Sequence, residues 1–278
     1  MRFRPLAGFC EIRTTFAAAT VCTGAQAPHL MHGRGIAMHD MKSGKVFRYS
    51  VLLAAVLVMT GCSLLSVPVI RNASRNDVVN LGDSIFALSG KILDYLHSWS
   101  GQTFRRYALS GSMIVHIEDQ YSDAKADNPN IATIFMDGGG NDILIPATLF
   151  DPYNCKVDWW ESGLSSTCKA LINDIYVDVV DLLNQMGRDG VDNIIYLGYY
   201  RLKNGLIGST SLNPAVDYGD AKLALAVQNA TAVPNYRVFI DPRSSITSSD
   251  IIYDGVHPSD SGSMKLATLI WAKLQPLL

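Results

Sequence analysis

The sequence predicts an α/β domain, with a five-stranded parallel sheet covered by helices on both faces. Beyond residue 70, five short apolar runs of strand length alternate with longer segments whose apolar residues recur at helical spacing. A helix-length segment between successive strands suits parallel strands joined by right-handed crossovers, not hairpins. The chain is 48% apolar and 17% charged over 278 residues, enough to fill a core and too apolar for wholesale disorder.

The elements follow in order. Residues 77–81 (Asp-Val-Val-Asn-Leu) form the first strand, stopped by Gly82. Ile85, Leu88, Ile92, Tyr95, Leu96 and Trp99 make one apolar stripe, so residues 85–99 read as a single helix. Residues 104–108 supply the second strand and 113–124 the second helix. Residues 131–136 are the strongest strand and run into Gly138-Gly139-Gly140. Residues 170–186 form a long helix ending at Gly187, and residues 193–197 the fourth strand. Residues 214–230 are helical, with Asn213 as the expected N-cap before Pro214. Residues 236–240 are the fifth strand. Met264, Ala267, Ile270, Trp271 and Leu274 mark a last helix.

The front of the chain differs from this body. Residues 1–61 carry seven Lys/Arg and two Asp/Glu, a balance of +5, and residues 62–278 carry sixteen and twenty-three, a balance of −7. Lys42, Lys45 and Arg48 precede nine consecutive apolar residues, 51–59, the length of a signal h-region and short of the roughly 20 residues that span a bilayer. Met59-Thr60-Gly61-Cys62 then resembles the lipobox of bacterial lipoproteins, with Met59 where Leu is usual. The expected organisation is a leader and signal peptide over 1–61, a tether lipidated at Cys62 over 62–75, and one α/β domain over 76–278. Residues 1–40 fit neither signal nor domain and point to an over-long gene model. The alternative is an uncleaved anchor running on to Ile70, which Gly61 and Pro68 make a poor spanning helix. Ser63 after Cys62 resembles lipoproteins sorted to the outer membrane, facing the periplasm. Of the other cysteines, Cys10 and Cys22 lie in the leader. Cys155 and Cys168 form the pair expected to bridge in an exported protein, with no neighbouring His or third Cys to make a metal site.

In parallel α/β sheets a site lies outside the C-terminal ends of the strands. Four motifs fall there. Gly82-Asp83-Ser84 puts a hydroxyl at the sheet edge and an N–H at a helix start, and Ser110-Gly111-Ser112 follows the second strand. Gly139-Gly140-Asn141-Asp142 follows the strongest strand. Asp254-Gly255-Val256-His257 holds the one body histidine outside a predicted helix, with an acid three residues before it; His97 and His116 read as surface or packing residues. Each motif alone is an ordinary turn or cap.

Taken in order, Gly82-Asp83-Ser84, Gly111, Gly139-Gly140-Asn141-Asp142 and Asp254-Gly255-Val256-His257 resemble the four blocks of the SGNH/GDSL hydrolase superfamily, from about residue 77 to the C-terminus. The resemblance implies a flavodoxin-like three-layer α/β/α sandwich and a serine ester hydrolase (EC 3.1 class). Ser84 is then the nucleophile, His257 the base and Asp254 its partner. The backbone N–H groups of Ser84 and Gly111 and the Asn141 side chain form the oxyanion hole. Asp83 and Asp142 hold loops in shape, and no cofactor or metal is needed. The implied substrates are carboxylic esters or thioesters, including acylated carbohydrates and lipids. Net charge gives no sign of nucleic-acid binding. An α/β-hydrolase elbow, Gly-x-Ser-x-Gly, does not occur. The reading from another class is a non-catalytic envelope lipoprotein that uses the same fold to bind. Residues 142–166 are long enough for a rim or lid, and Trp159, Trp160, Tyr199 and Tyr200 either line the site or pack the insertion onto the body.

Overall fold

The computed structural model describes residues 66–278, so the leader, Cys10, Cys22 and the lipobox at Cys62 lie outside the described residues. The sheet strands are β1 (Arg75–Leu81), β2 (Phe104–Arg106), β3 (Thr133–Met136), β4 (Asn193–Leu197) and β5 (Tyr236–Ile240). The helices are α1 (Ser84–Ala87), α2 (Lys91–Ser100), α3 (Ile114–Asp127), α4 (Gly140–Leu149), α5 (Ser166–Arg188), α6 (Asn213–Asn229) and α7 (Asp260–Leu274). All strand pairs are parallel, in the order β2-β1-β3-β4-β5, which is the flavodoxin-like arrangement.

Successive strand residues point to opposite faces, so the sheet feeds two cores. Val79, Leu81, Ile134, Met136, Ile194 and Tyr196 face α3, α5 and α6. Val78, Phe135, Ile195, Leu197 and Ile240 face α1, α2 and α7. Three layers result. The reversal of strand order falls between β1 and β3, so the crevice opens where Ser84 and Asn141 begin their helices.

Several expectations are corrected. The helix read over 85–99 is two helices: α1 ends at Ala87 with Leu88 as its C-cap, and Gly90, at φ 69°, turns the chain into α2. A Cβ there would meet Val67 at 3.2 Å, since the incoming chain packs on that turn. The second strand ends at Arg106. Its middle residue, Arg105, is fully buried and donates to the carbonyls of Asn76, Ala124 and Asn128. The loop expected from residue 142 begins only at Phe150, since residues 140–149 fold as α4 despite Pro146. Asn213 does not cap α6. Its side chain accepts from Leu202 N (2.7 Å) and donates to Leu202 O (3.1 Å), pinning the loop after β4.

Cys155 and Cys168 are bonded, with Cα atoms 5.0 Å apart. They sit in a small apolar cluster with Ala147, Ile172, Leu212 and Ala215, which ties the 150–165 loop to α5 and α6. A cross-link over a separation of 13 residues removes denatured-state entropy worth about 3 kcal/mol in the chain-entropy model. Replacing both cysteines with Ala should therefore lower the unfolding free energy by roughly that amount in urea titrations.

Candidate active site

The turn that carries Ser84 is built from the end of β1. Gly82 has φ 143°, and a Cβ on it would lie 2.0 Å from Asp137 Oδ1, so only glycine fits. Gln120 of α3 holds this glycine from both sides, accepting from its N–H (2.8 Å) and donating to its carbonyl (2.9 Å). Asp83 then caps α1, its Oδ1 accepting from Ile85 N at 2.9 Å. That places Ser84 as the first residue of α1, buried at the bottom of the crevice.

His257 Nε2 lies 2.8 Å from Ser84 Oγ, across a sequence separation of 173 residues. Its Nδ1 lies 2.6 Å from Asp254 Oδ2. Asp254 Oδ1 accepts in addition from Val256 N (2.8 Å) and His257 N (3.0 Å). Burial alone would raise the Asp254 carboxyl, but the donors from the His257 ring, Val256 N–H and His257 N–H outweigh it and hold the group below the usual range. Asp254 is thus an ionised orienter, and the tautomer with hydrogen on Nδ1 leaves Nε2 to accept from Ser84. Tyr200 Oη locks the same turn by donating to Val256 O at 2.6 Å.

Asn141 opens α4 just beyond β3 and is buried. One of its two amide hydrogens goes to Ser112 O (3.1 Å), which draws the second-block loop alongside and leaves the other hydrogen for a ligand. Gly111 in that loop has φ 80° and open space on its Cβ side, but it does not line the cavity beside Ser84. Asp142 accepts from Ile114 N and so ties α4 to α3. His97 accepts from Phe104 N and His116 from Met113 N, both away from this cluster.

Asp137, which sequence reasoning passed over, and Tyr199, read only as lining the site or packing the insertion, support the turn. Asp137 Oδ1 accepts from Asp83 N (2.8 Å), while its Oδ2 is buried without a partner. Burial and the adjacent Asp83 drive Asp137 well above the usual carboxylate range. Tyr199 Oη donates to Asp83 Oδ2 (2.8 Å), and Tyr199 N donates to Asp220 Oδ1 (2.9 Å). The apolar cavity beside Ser84 measures about 70 Å³. Its walls include Ile143, Leu144, Ile172, Ile175, Leu212 and Leu223, with Tyr199 and Tyr200 among the lining residues. Trp159 and Trp160 do not line it. They neither pack onto the body nor fold over the site, and their rings meet each other edge-on at 5.4 Å.

Neither a protein-family model nor a curated protein matches the sequence. Solved structures do. LAE5, an α/β hydrolase enzyme from the metagenome of Lake Arreo, Spain, is 14% identical, with a TM-score of 0.52, over 75% of this chain and 99% of that one. A carbohydrate esterase family 3 protein from Talaromyces cellulolyticus is 16% identical, TM-score 0.50, over 72% and 96%. An aryl esterase from M. smegmatis is 14% identical, TM-score 0.50, over 72% and 99%.

Asp220 lies under Tyr199, and burial pushes its carboxyl up to about 7. A raised carboxyl contributes stability that is present in full below its unfolded value near 3.8 and is lost as pH rises through about 7. Asp220→Asn keeps the acceptor for Tyr199 N without the charge. Urea titrations across pH 4 to 8 should show the variant losing less stability than the parent over that interval. With the strand order seen here, these likenesses show that the chain shares the parallel α/β fold of these hydrolase and esterase structures.

Proposed function

We propose that the protein is a serine ester hydrolase that cleaves carboxylic esters through an acyl-enzyme on Ser84. The observation that carries this reading is the unbroken relay from Ser84 Oγ through His257 to Asp254, set at the wall of an apolar cavity. As Ser84 Oγ attacks the ester carbonyl, its proton passes to His257 Nε2, and the imidazolium is stabilised by Asp254. The carbonyl oxygen becomes an oxyanion held by the free Asn141 amide hydrogen and the N–H groups of Ser84 and Gly111. His257 then protonates the leaving alcohol, and water repeats the sequence in reverse to release the acid.

A serine-directed phosphonate should label Ser84 and stop turnover, and Ser84→Ala should remove nearly all of it. Asn141→Ala should lower kcat about 10²–10³-fold. Labelling elsewhere, or full ester hydrolysis by Ser84→Ala, would overturn the assignment of Ser84, whereas no labelling and no hydrolysis of any ester would favour the binding-module alternative. Envelope location and a lipid at Cys62 belong to the same proposal and rest on the lipobox.

The cavity also bears on the acyl group. One water-sized group needs about 10–15 Å³ of such volume, so about 70 Å³ takes roughly five. Each methylene buried there is worth about 0.8 kcal/mol, close to fourfold. In a panel of chromogenic esters, kcat/KM should climb about fourfold per carbon from acetyl to roughly C5 and then level off.

A further inference from the structure

Among the described residues the five most exposed large apolar side chains are Trp159 (91%), Leu206 (76%), Tyr253 (75%), Phe150 (71%) and Trp160 (65%), and the next, Val115, is 53% exposed. All five lie on connections at the C-terminal edge of the sheet, the edge that holds Ser84. Phe150, Trp159 and Trp160 precede α5, which carries the chain from that edge back to the start of β4. Leu206 follows β4, and Tyr253 follows β5 on the loop of Asp254 and His257. Backbone hydrogen bonds join these loops to one another. Val157 N donates to Ser211 O (2.9 Å), and Ile207 N and Gly208 N both donate to Asp254 O (2.9 Å). The disulfide ties the aromatic loop to α5. The site is therefore ringed by exposed apolar groups on a pinned rim, whereas such groups elsewhere are half-covered.

From this we infer that the C-terminal rim docks on a lipid surface and that the substrate is an acyl lipid taken from that surface into the cavity. Phe150 and Leu206 have no hydrogen-bonding group for a sugar. The two indoles stand at 86° to each other and present no common stacking platform. Indole and phenol rings suit a membrane interface, where one end is apolar and the other wet. The three rim connections, residues 150–165, 198–212 and 241–259, carry four Lys/Arg and six Asp/Glu, so the surface is zwitterionic and not anionic.

The incoming chain points the same way. Ser66 Oγ accepts from Ser110 N (2.9 Å), just past the C-terminal end of β2, and Val67 N donates to Ala87 O at the end of α1. Cys62 is four residues before Ser66, at most about 14 Å of extended chain. A lipid on Cys62 would hold this edge toward the membrane.

The choice of substrate rests on the ester-hydrolase reading, but docking does not, so binding is measured on the full chain carrying Ser84→Ala. The probe is tryptophan emission with phosphatidylcholine vesicles brominated on the acyl chains, which reports the rim indoles even if the 51–59 segment also binds vesicles. Quenching is expected, and Trp159→Ala/Trp160→Ala in the same background should abolish it, leaving Trp99 and Trp271 unquenched. In active protein the double variant should keep hydrolysis of a soluble butyrate ester within about twofold and lose tenfold or more on a vesicle-borne acyl lipid. Its unchanged melting temperature serves as the folding check. Absence of quenching in the parent, equal quenching in the double variant, stronger quenching when anionic lipid is added, or a response to acetylated xylan and not to vesicles would each overturn the inference. Quenching with no hydrolysis of any ester would leave docking standing and remove the catalytic reading instead.

Discussion

The close approach of β1 and β3 at their C-terminal ends is the constraint on which the site depends. Leu81 and Met136 are register partners, and the chain beyond each must turn within one residue of the other. Gly82 yields because it has no Cβ, and Asp137 fills the space with a carboxyl whose Oδ1 takes the Asp83 N–H. Everything that touches the reacting atoms from this side follows from that junction. Asp83 caps α1 and sets Ser84 as its first residue. Four residues after Asp137, Asn141 enters α4 and faces the same crevice. A side chain at Gly82 or the loss of Asp137 would disturb Ser84 and Asn141 together.

The other half of the site arrives from β5, and it is held by backbone. Gly205 and Gly208 lie so close to residues 254–255 that a Cβ on either would overlap main-chain atoms there. Gly255, at φ 87°, lets the chain turn between Asp254 and His257 so that one carboxylate reaches both the ring and the N–H groups of Val256 and His257. The loop after β4 is in turn held by Asn213, so α6, the cavity wall and the histidine turn form one connected structure.

Much of this was legible in the sequence because the sheet is parallel and buried. Strand ends marked by glycine are where sites form, and the β4 and β5 runs coincide with the strands observed. Ser84, Asn141, Asp254 and His257 each sat in a short motif at such an end. What was not legible depended on partners far away in sequence. The break at Gly90 comes from Val67 packing on the turn, and Asn213 serves Leu202 instead of its own helix. Residues 142–149 looked like loop because Asp, Thr and Pro are weak helix formers, yet Ala147 packs against the disulfide cluster and tertiary contact overrides propensity. Gln120 carried no local signal, and Tyr199 read only as an aromatic that lines the site or packs. An acid between an apolar strand and a glycine run was the one oddity that pointed to Asp137.

The buried acids show how hydrogen-bond donors divide labour among chemically identical groups. Asp83 precedes the nucleophile directly, yet it cannot serve the histidine, because Ile85 N and Tyr199 Oη occupy its oxygens. Burial raises Asp83, and burial with Asp83 alongside raises Asp137 further, which disfavours two ionised acids beneath Ser84. Asp142, pushed by burial up to about 6, is spent on the N-terminus of α3. Asp254 alone faces the imidazole with a full set of donors and falls below its ordinary value. The negative charge needed to stabilise an imidazolium is thus concentrated on the far side of the ring from Ser84. Beside Ser84, where the proposed reaction would form an oxyanion, the carboxyls are capped or turned away.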